Sequence, residues 1–472
     1  MGEIKEIYIP RLKRRFTRGD LIHFIGIGGI GMSGLARILL EAGFRVSGSD
    51  LKQSTITDRL IESGAEVTIG HQEETLKKGP SLVVRTSCIS GDNPENMAAK
   101  KGRLPIVHRA ELLASMLHND EAIAVTGAHG KTTTAAMIAL ILKDARRDPT
   151  FALGAEIPDL GTNARLGKGE QFVAEADESD GSFEFMDPDY MVFTNIDSEH
   201  LDYYKDLDGV IAFFQKFIGA HEQSIFAYNG DDANLATLAK ELDMRGESFG
   251  LSEGSDLHAV DIKFKGLGSS FKCFYMGRLL GTVKLGIPGQ FNIYNGLAAI
   301  LIAVQLGIDF EDIKKSLYRF KGAQRRFEIK GEYNDIVVVE DYAHHPTEIQ
   351  VTLDAARRWW HGEIIAVFQP HRFSRTRDMA DKFAKSFKEA DRVILADIYS
   401  AFEEPIPGVS TRSIYEKMDP PLKENTELLP KDRILSRLAD ILKPGTLLLV
   451  LGAGDIGELS TDIVKGLKDK KF

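Results

Sequence analysis

Residues 124–134 have the sequence AVTGAHGKTTT, in which an apolar strand leads into a glycine turn and then into a helix. Glycines allow backbone N–H groups to curve around phosphate oxygens, and a helix N-terminus favours negative charge. We therefore predict a nucleoside triphosphate site, with Lys131 on the outer phosphates and the Thr132 hydroxyl on Mg²⁺. The general phosphate-loop pattern has glycine at the position of Val125, so the alternative is a structural turn that happens to contain Gly-Lys-Thr.

Acidic residues follow the next apolar strands of the same region. Because parallel strands end at the same sheet edge, we expect these side chains to hold one or two Mg²⁺ ions beside the phosphates. The alternative is a solvated acidic loop, and a zinc site is not favoured because no Cys/His pair has the usual spacing. The two clusters are Glu175, Asp177, Glu178 and Asp180 after the strand at 172–174, and Asp197, Glu199, His200 and Asp202 after the strand at 191–196.

A second glycine turn lies near the N-terminus, where Gly26, Gly28 and Gly31 follow a predicted strand and Asp50 ends the next one. This spacing is typical of dinucleotide-binding loops, so an NAD-dependent oxidoreductase is one alternative for the chain. The pattern is weak, however, since residues 452–457 (GAGDIG) repeat it after another apolar strand. We predict a nucleotide diphosphate group at the first loop without specifying the nucleotide.

Short apolar strands alternate with helical patterns along the chain, which is typical of parallel α/β sheets. We predict an α/β fold of three domains, residues 1–118, 119–323 and 324–472. The first and last are expected to be Rossmann-like. The central domain is expected to be a P-loop ATPase-type parallel sheet, to which residues 248–285 add a β meander.

Composition limits the class of protein. The chain has 472 residues, of which 43% are apolar and 27% charged, as in globular proteins. Its formal net charge of −10 argues against a nucleic-acid partner, and no apolar run of about 18 residues predicts a membrane span. Cys88 and Cys273 are the only cysteines, and the N-terminus has no signal-peptide pattern, so a reducing cytoplasm is expected.

Several segments, in chain order, resemble the Mur ligases. The family's sugar-nucleotide loop, short phosphate loop with histidine before Gly-Lys-Thr, metal-binding strand end, Asn-x-x-Asn segment and interdomain arginine all have counterparts. Two further segments are similar to the branch of the family that adds L-alanine. These stretches are 26–36, 127–134, 175–180, 289–295, 325–328, 341–348 and 369–376.

The resemblance implies that ATP phosphorylates the carboxylate of UDP-N-acetylmuramic acid and that the amine of L-alanine then displaces phosphate, a cytoplasmic step of peptidoglycan synthesis. The three domains would bind the UDP-sugar, ATP and the amino acid in that order. ATP and Mg²⁺ are the implied cofactors, the two substrates the implied partners, and a monomer or weak homodimer the expected state. Departures are Ala128 for the usual Thr or Asn, an altered turn at 197–199 before His200, and Thr86 with Ser87 for two serines.

The resemblance also implies residue roles. The UDP-sugar residues are Gly28, Gly29, Ile30, Gly31, Ser33, Asp50, His71, Thr86, Ser87, Ser179 and Asp180. The ATP residues are Gly127, His129, Gly130, Lys131, Thr132, Thr133, Asn292, Asn295, Arg326 and Asp341. The metal ligands are Thr132, Glu175 and His200; the amino-acid residues are Tyr342, His344, Arg372 and Arg375; and the catalytic residues are Lys131, Glu175, His200, His344 and Arg372.

Chemistry supports part of this assignment. Arg372 and Arg375 offer the fork of N–H donors that an amino-acid carboxylate prefers, although an exposed basic loop is the alternative. His344 and His345 are suited to orienting the amine or accepting its proton, and at least one of them is expected only to cap a helix. Two other functions stay open: a P-loop NTPase that uses nucleotide as a switch, and a relative within the family that adds a tripeptide.

Overall fold

A computed structural model describes residues 4–117, 121–176, 182–197, 204–401 and 403–469. The chain forms two compact units. The first comprises Met1–Asp261, Phe271–Lys284 and Tyr294–Phe320, and the second comprises Ile262–Ser270, Leu285–Ile293 and Lys321–Phe472. In the described parts of the chain, no helix is both long and apolar enough to span a bilayer.

The first unit begins with an antiparallel ribbon and a five-stranded parallel sheet in the order β5-β4-β3-β6-β7. Its strands are β1 (Glu6–Ile9), β2 (Arg14–Thr17), β3 (Leu21–Ile25), β4 (Arg45–Asp50), β5 (Glu66–Ile69), β6 (Leu82–Arg85) and β7 (Ile106–His108). Its helices are α1 (Ile30–Glu41), α2 (Thr55–Glu62), α3 (Pro94–Lys101) and α4 (Arg109–Leu117), with 3-10 turns at Pro10–Leu12 and Glu73–Lys78.

The two faces of this sheet differ in character. Ile22 and Phe24 belong to the large apolar core on the α1 side. On the other face, Ile25 packs in a small cluster with Leu76, Val83 and Ala99. Buried polar residues, His23 and Ser49 among them, complete that second face.

A ten-stranded sheet has the order β10-β9-β11-β8-β12-β13-β14-β15-β16-β17. Its strands are β8 (Glu121–Thr126), β9 (Thr150–Ile157), β10 (Thr162–Arg165), β11 (Gln171–Glu175), β12 (Tyr190–Phe193), β13 (Ile225–Asn229), β14 (Gly246–Gly250), β15 (Leu257–Lys265), β16 (Gly268–Tyr275) and β17 (Arg278–Leu285). The strands from β9 and β11 through β8 to β15 pair in parallel. The predicted meander therefore begins at Leu257 instead of residue 248, because β14 still pairs in parallel with β13.

Helices follow these strands. They are α5 (Lys131–Asp144), α6 (Leu207–Ala220), α7 (Ala233–Glu241), α8 (Phe291–Gln305) and α9 (Phe310–Arg319), with a 3-10 turn at Ser182–Phe185. Helix α5 is buried from Thr132 to Leu142, which fixes the loop before it firmly against the sheet.

The second unit contains a six-stranded sheet in the order β18-β19-β23-β20-β21-β22, parallel except for β18. Its strands are β18 (Glu328–Tyr333), β19 (Ile336–Asp341), β20 (Glu363–Phe368), β21 (Arg392–Leu395), β22 (Thr426–Leu428) and β23 (Thr446–Leu451). Its helices are α10 (Pro346–Trp359), α11 (Phe373–Lys385), α12 (Arg412–Tyr415), α13 (Pro420–Glu424), α14 (Lys431–Ile441) and α15 (Gly457–Lys468). The central strand β23 is buried along its whole length, as expected for a strand covered on both faces.

Candidate active site

The loop between β8 and α5 has the shape of a phosphate-binding turn. Gly127 and Gly130 adopt φ angles of 119° and 86°, which side chains rarely tolerate. A Cβ atom on Gly127 would collide with Thr194, and one on Gly130 with Asn295. Both glycines are therefore required by backbone conformation and by space.

Two residues at the end of the neighbouring strand β12 hold this loop in place. The Thr194 hydroxyl donates to the His129 carbonyl at 2.7 Å, and the Asn195 amide donates to the same carbonyl at 2.9 Å. Asn195 also accepts the backbone N–H of His129 at 2.9 Å. Neither residue belongs to a motif of the sequence, although a polar pair directly after a buried strand is a usable signal.

Lys131, Thr132 and Glu175 lie together at this edge. Lys131 Nζ donates to the carbonyls of Gly127 (2.6 Å) and Ala128 (3.1 Å). The Thr132 hydroxyl donates to Glu175 Oε2 at 2.7 Å, because the ends of β8 and β11 are adjacent in the sheet. Thr133 is buried in the same helical turn.

Glu175 is fixed from a second side by the backbone of β9. The Gly154 N–H donates to Glu175 Oε2 at 2.8 Å. His129 Nε2 lies 3.1 Å from Asp197 Oδ2, so a carboxylate of the second acidic cluster also adjoins the loop. Ser179, Asp180 and His200, with Asp177, Glu178, Glu199 and Asp202, lie outside the described residues.

The two predicted adenine-side asparagines are on α8. Asn295 Oδ1 accepts the Thr134 hydroxyl at 3.3 Å and lies against Gly130, so it adjoins the phosphate loop. The Asn292 amide donates to the Pro288 carbonyl at 2.7 Å, which fixes the first turn of the helix.

The N-terminal glycine loop is organised around Asp50. Asp50 Oδ2 accepts the Gly28 N–H at 2.8 Å, and a Cβ atom on Gly28 would lie 2.9 Å from that oxygen. Helix α1 then begins at Ile30, after Gly29, and the Ser33 hydroxyl donates to the Ile30 carbonyl at 2.9 Å. The predicted pairing of glycine turn and acid is thus present.

Further polar groups surround this loop. Ser87 Oγ lies 3.0 Å from His108 Nε2, and Thr86 Oγ1 accepts the Cys88 N–H at 3.2 Å. Arg109 Nη1 lies 3.5 Å from the Cβ position of Gly31, at the start of α1. A cation at a helix N-terminus is unfavourable unless an anion binds between them. Arg109 and His108 were not found from the sequence, because no motif contains them.

In the second unit, the arginines before β18 stack on Tyr342. The guanidinium carbons of Arg325 and Arg326 lie 4.9 Å and 5.2 Å from its ring centroid. Asp341 accepts the backbone N–H groups of Phe327 and Ala343, each at 2.7 Å. Burial raises the pKa of Asp341 to about 6, although Arg326 and these hydrogen bonds act in the opposite direction. Asp341 therefore holds the arginine loop through backbone contacts.

The adjacent histidines separate into two roles. His345 caps helix α10, where its ring accepts the Thr347 N–H and Glu348 accepts the N–H groups of both histidines. His344 instead lies edge-on to Tyr342 and to His371, with ring centroids 5.3 Å and 5.7 Å apart. The expectation that one histidine caps a helix agrees with this arrangement.

His371 and the predicted carboxylate-binding arginines lie at the start of α11. His371 stacks on Tyr399, with ring centroids 5.6 Å apart. Burial, together with the neighbouring His344, Arg375 and Arg372 side chains, lowers the pKa of His371 to about 3. The ring is therefore neutral at physiological pH. No role for His371 or Tyr399 was predicted from the sequence.

The C-terminal glycine loop is occupied by the protein's own groups. Arg325 donates to the carbonyls of Gly452 and Gly454 and, through Nε, to Glu340 Oε1 at 2.7 Å. A Cβ atom on Gly457 would collide with the Glu340 carboxylate. This motif therefore receives an internal carboxylate, and it gives no support to a second dinucleotide site.

Comparisons with known proteins agree along the chain. Residues 21–121 match the Mur ligase family, catalytic domain, residues 125–303 the Mur ligase middle domain, and residues 325–454 the Mur ligase, glutamate ligase domain. UDP-N-acetylmuramate–L-alanine ligases of Carboxydothermus hydrogenoformans and Geotalea uraniireducens are 44% and 43% identical to it. These alignments cover 96% and 95% of this chain and 98% of each relative.

A solved structure extends this likeness to the fold. The crystal structure of the UDP-N-acetylmuramate–alanine ligase from Thermotoga maritima has a TM-score of 0.81 and 29% identity, covering 95% of this chain and 99% of that one. The predicted three-domain α/β fold class is thereby confirmed. With family matches in succession and relatives above 40% identity over nearly its whole length, the chain belongs to the Mur ligase family of ATP-dependent ligases.

Proposed function

We propose that this protein is an ATP-dependent ligase that joins L-alanine to UDP-N-acetylmuramic acid in peptidoglycan synthesis. The observation that carries the proposal is the phosphate loop with Thr132 bonded to Glu175 at 2.7 Å, a site for a triphosphate at a sheet edge. The substrates are those in the names of relatives that align with 95% or more of the chain.

The first chemical step forms an acyl phosphate. A carboxylate oxygen of the muramic acid attacks the γ-phosphorus of ATP, and ADP leaves. Because phosphoryl transfer depends mainly on positioning and charge neutralisation, the N–H groups around Gly127, His129 and Gly130 and the Lys131 ammonium are assigned to the phosphates. Thr133 supports them from the first turn of α5.

The residues present fit a magnesium ion. Thr132 and Glu175 supply a hydroxyl and a carboxylate, the hard oxygen ligands that Mg²⁺ prefers, and the Gly154 N–H already orients the carboxylate. Mg²⁺ bound there would neutralise charge on the phosphates during transfer. His200 is the third proposed ligand.

The second step forms the amide. The amine nitrogen of L-alanine attacks the acyl carbon, the bond from that carbon to the phosphate oxygen breaks, and the nitrogen gives its proton to His344 or to the departing phosphate. Arg372 and Arg375 are proposed to hold the amino-acid carboxylate, with Tyr342 as a pocket wall and His344 beside the amine. A neutral His371 in the same cluster suits this role, since a third cation there would repel the alanine ammonium.

The remaining assignments follow the same division. Asn292, Asn295 and Arg326 are proposed to contact ATP, and Asp341 to act by holding the loop that carries Arg326. The UDP-sugar is assigned to Gly28, Gly29, Ile30, Gly31, Ser33, Asp50, His71, Thr86, Ser87, Ser179 and Asp180. The domain limits of 1–118, 119–323 and 324–472, a monomer or weak homodimer, and a cytoplasmic location, where ATP and nucleotide sugars are available, remain part of the proposal.

The test is phosphate release from ATP and Mg²⁺ with UDP-N-acetylmuramic acid, with and without L-alanine. The proposal requires release that depends on both substrates and a new UDP-N-acetylmuramoyl-alanine product identified by mass. Release that ignores the sugar nucleotide would favour a nucleotide switch instead. A third arm replaces L-alanine by the peptidoglycan tripeptide, and preference for the tripeptide would move the chain to the peptide-adding branch.

A further inference from the structure

The second face of the N-terminal sheet contains a buried ionic cluster that the ligase chemistry described above does not use. Its centre is Glu95, on the first turn of α3, whose side chain is fully buried. His23, from the middle of β3, is also buried, and Ser49 is buried at the end of β4. His71, after β5, is the member of the cluster that reaches the surface, with 11% of its side chain exposed.

The two carboxylate oxygens of Glu95 have separate partners. Oε1 accepts the Thr75 hydroxyl and lies 3.5 Å from His23 Nε2, a distance at the limit of a hydrogen bond. Oε2 accepts the Ser49 hydroxyl and lies 3.2 Å from His71 Nδ1. Burial by itself would raise the pKa of Glu95, but the groups of His23, Ser49 and Thr75 outweigh it, so the net shift is downward. The carboxylate is therefore ionised in the folded protein.

This ionised carboxylate determines which nitrogen of His71 carries a proton. A carboxylate only accepts hydrogen bonds, and the Ser49 hydroxyl donates its single proton to Glu95, so Nδ1 of His71, which contacts both oxygens, is assigned as the N–H nitrogen. The other ring nitrogen, Nε2, is then the one that can carry the lone pair. In a neutral ring, Nε2 with a lone pair accepts a hydrogen bond from an N–H or O–H group.

The cluster adjoins the glycine loop through one residue. The Ser49 carbonyl accepts the N–H groups of Gly26 (2.8 Å) and Ile27 (2.9 Å), while the Ser49 hydroxyl contacts His71 Nδ1 at 2.8 Å and Glu95. The next residue, Asp50, accepts the Gly28 N–H. His71 therefore stands at the sheet edge where the proposed sugar nucleotide binds.

A purely structural role explains this arrangement poorly. Burying a carboxylate costs several kcal/mol in desolvation, and an apolar side chain of similar volume fills such a space without that cost. The same face is apolar around Ile25, Leu76, Val83 and Ala99. The cost is understandable if the charge performs a task at the exposed end of the cluster.

We propose that Glu95 is a positioning residue for substrate binding: it holds His71 in the Nδ1–H form, so that Nε2 accepts a hydrogen bond from the nucleoside part of the sugar nucleotide. The inference rests on the proposed function, since it takes the UDP-sugar as the ligand. The donor is a ribose hydroxyl or the uracil N–H, both of which offer a proton to a lone pair.

The experiment compares wild type with Glu95→Gln by calorimetric binding of UDP-N-acetylmuramic acid and of UDP, and by steady-state kinetics. We expect Glu95→Gln to raise Kd and KM for the sugar nucleotide about tenfold, by analogy with metal-binding histidines that lose their carboxylate partner. We expect kcat to change less than about twofold, because the residue does not touch the reacting atoms. Binding of 2′-deoxy-UDP tests the 2′-hydroxyl as the donor. If Glu95→Gln weakens the binding of UDP and of 2′-deoxy-UDP by the same factor, the donor is a group other than the 2′-hydroxyl.

The matched control is Glu111→Gln. Glu111 is likewise a mostly buried carboxylate, paired with Arg11 at 2.6 Å on a different element of the same unit. The Glu111→Gln substitution should lower the free energy of unfolding without altering the affinity for the sugar nucleotide. Equal affinity in wild type and Glu95→Gln, with both folded, overturns the inference while leaving the ligase function intact. Wild-type protein that binds neither UDP compound removes the proposed function instead.

A spectroscopic measurement decides the matter even if Glu95→Gln fails to fold. The ¹⁵N shifts of the His71 ring in the wild-type protein, assigned by comparison with His71→Gln, should show a protonated Nδ1 and an unprotonated Nε2. Addition of UDP should shift Nε2 more than Nδ1. A ring protonated at Nε2 alone, or an Nε2 signal that ignores UDP, would overturn the inference.

Discussion

The contact between Gly154 and Glu175 allows the proposed metal ligand to be moved without altering it. A Cβ atom on Gly154 would lie 2.5 Å from Glu175 Oε2, 2.8 Å from Oε1 and 2.9 Å from Cδ, whereas ordinary contacts begin near 3.4 Å. In Gly154→Ala the carboxylate must therefore move away by about 0.9 Å, the difference between 2.5 Å and 3.4 Å. Strand β9 tolerates alanine, because Gly154 has no left-handed φ angle.

The magnitude follows from the interaction that is lost. A hydrogen bond to a charged group contributes about 1.5–3 kcal/mol, and the displaced carboxylate loses its contact with Thr132 or its place beside the metal. We expect the KM for Mg·ATP to rise roughly 10- to 100-fold, since each 1.4 kcal/mol corresponds to about a factor of ten. The free energy of unfolding should fall by no more than about 3 kcal/mol, because the loss is limited to this hydrogen bond and the group displaced is the end of a flexible side chain.

The assay is phosphate release at varied Mg²⁺ and ATP, together with the increase in melting temperature on adding Mg·ATP. Gly219→Ala is the matched control, because its Cβ meets nothing within 4 Å and alanine suits helix α6. That control should bind Mg·ATP like wild type. If folded Gly154→Ala retained wild-type Mg·ATP dependence in both measurements, Glu175 would not be a metal ligand and the reasoning would fail.

Three further predictions concern the second unit. The pKa of His371 is lowered to about 3, so this residue makes the folded state more stable as pH rises from about 3 to 6.5. The pKa of Asp341 is raised to about 6, so this residue makes the folded state less stable as pH rises from about 4 to 6. The two slopes, each about 1.4 kcal/mol per pH unit, should cancel in the wild type between pH 4 and 6. Over that range, urea unfolding should show that the stability of His371→Gln falls with rising pH and that the stability of Asp341→Asn increases. Parallel curves for the two variants would contradict the assignment. Gly457→Ala should lower the free energy of unfolding by roughly 2–4 kcal/mol, because it displaces the Glu340 carboxylate from Arg325. A melting temperature within about 2 °C of wild type in differential scanning calorimetry would count against the internal-carboxylate interpretation. Arg372→Lys should raise the KM for L-alanine about tenfold with a smaller effect on that for ATP, since lysine cannot offer a planar fork, and equal effects on both constants in initial-rate kinetics would remove Arg372 from the amino-acid site.

The sequence was most informative where function depends on neighbouring residues in the chain. The strand, glycine turn and helix around Lys131 follow from local spacing, as does the pairing of Gly28 with the acid that ends the next strand, Asp50. Continuous apolar runs also mark the buried strands of the second unit, whereas β18 and β22 are short or half-exposed and have weak apolar patterns.

Groups that come from distant parts of the chain could not be predicted. Thr194 and Asn195 support the phosphate loop from 65 or more residues away, and Glu95 meets His71 only because α3 returns across the sheet. Such contacts depend on strand order, which spacing does not encode. The role of His345 could be limited in advance only to capping or catalysis, because a histidine directly before a helix can serve in either role.

The two GxGxxG loops illustrate what a motif leaves undetermined. Each is a turn that brings a helix N-terminus to a sheet edge, and each has a carboxylate of the same chain beside it. At the C-terminal loop, Glu340 is buried and both its oxygens are engaged, by Arg325 and by Ser460, so the charge is balanced within the protein. At the N-terminal loop, Gly29 is exposed and the guanidinium of Arg109 lies near the start of α1. The motif thus specifies a backbone suited to an anion, and the burial of the nearest acid determines whether that anion comes from the chain or from a ligand.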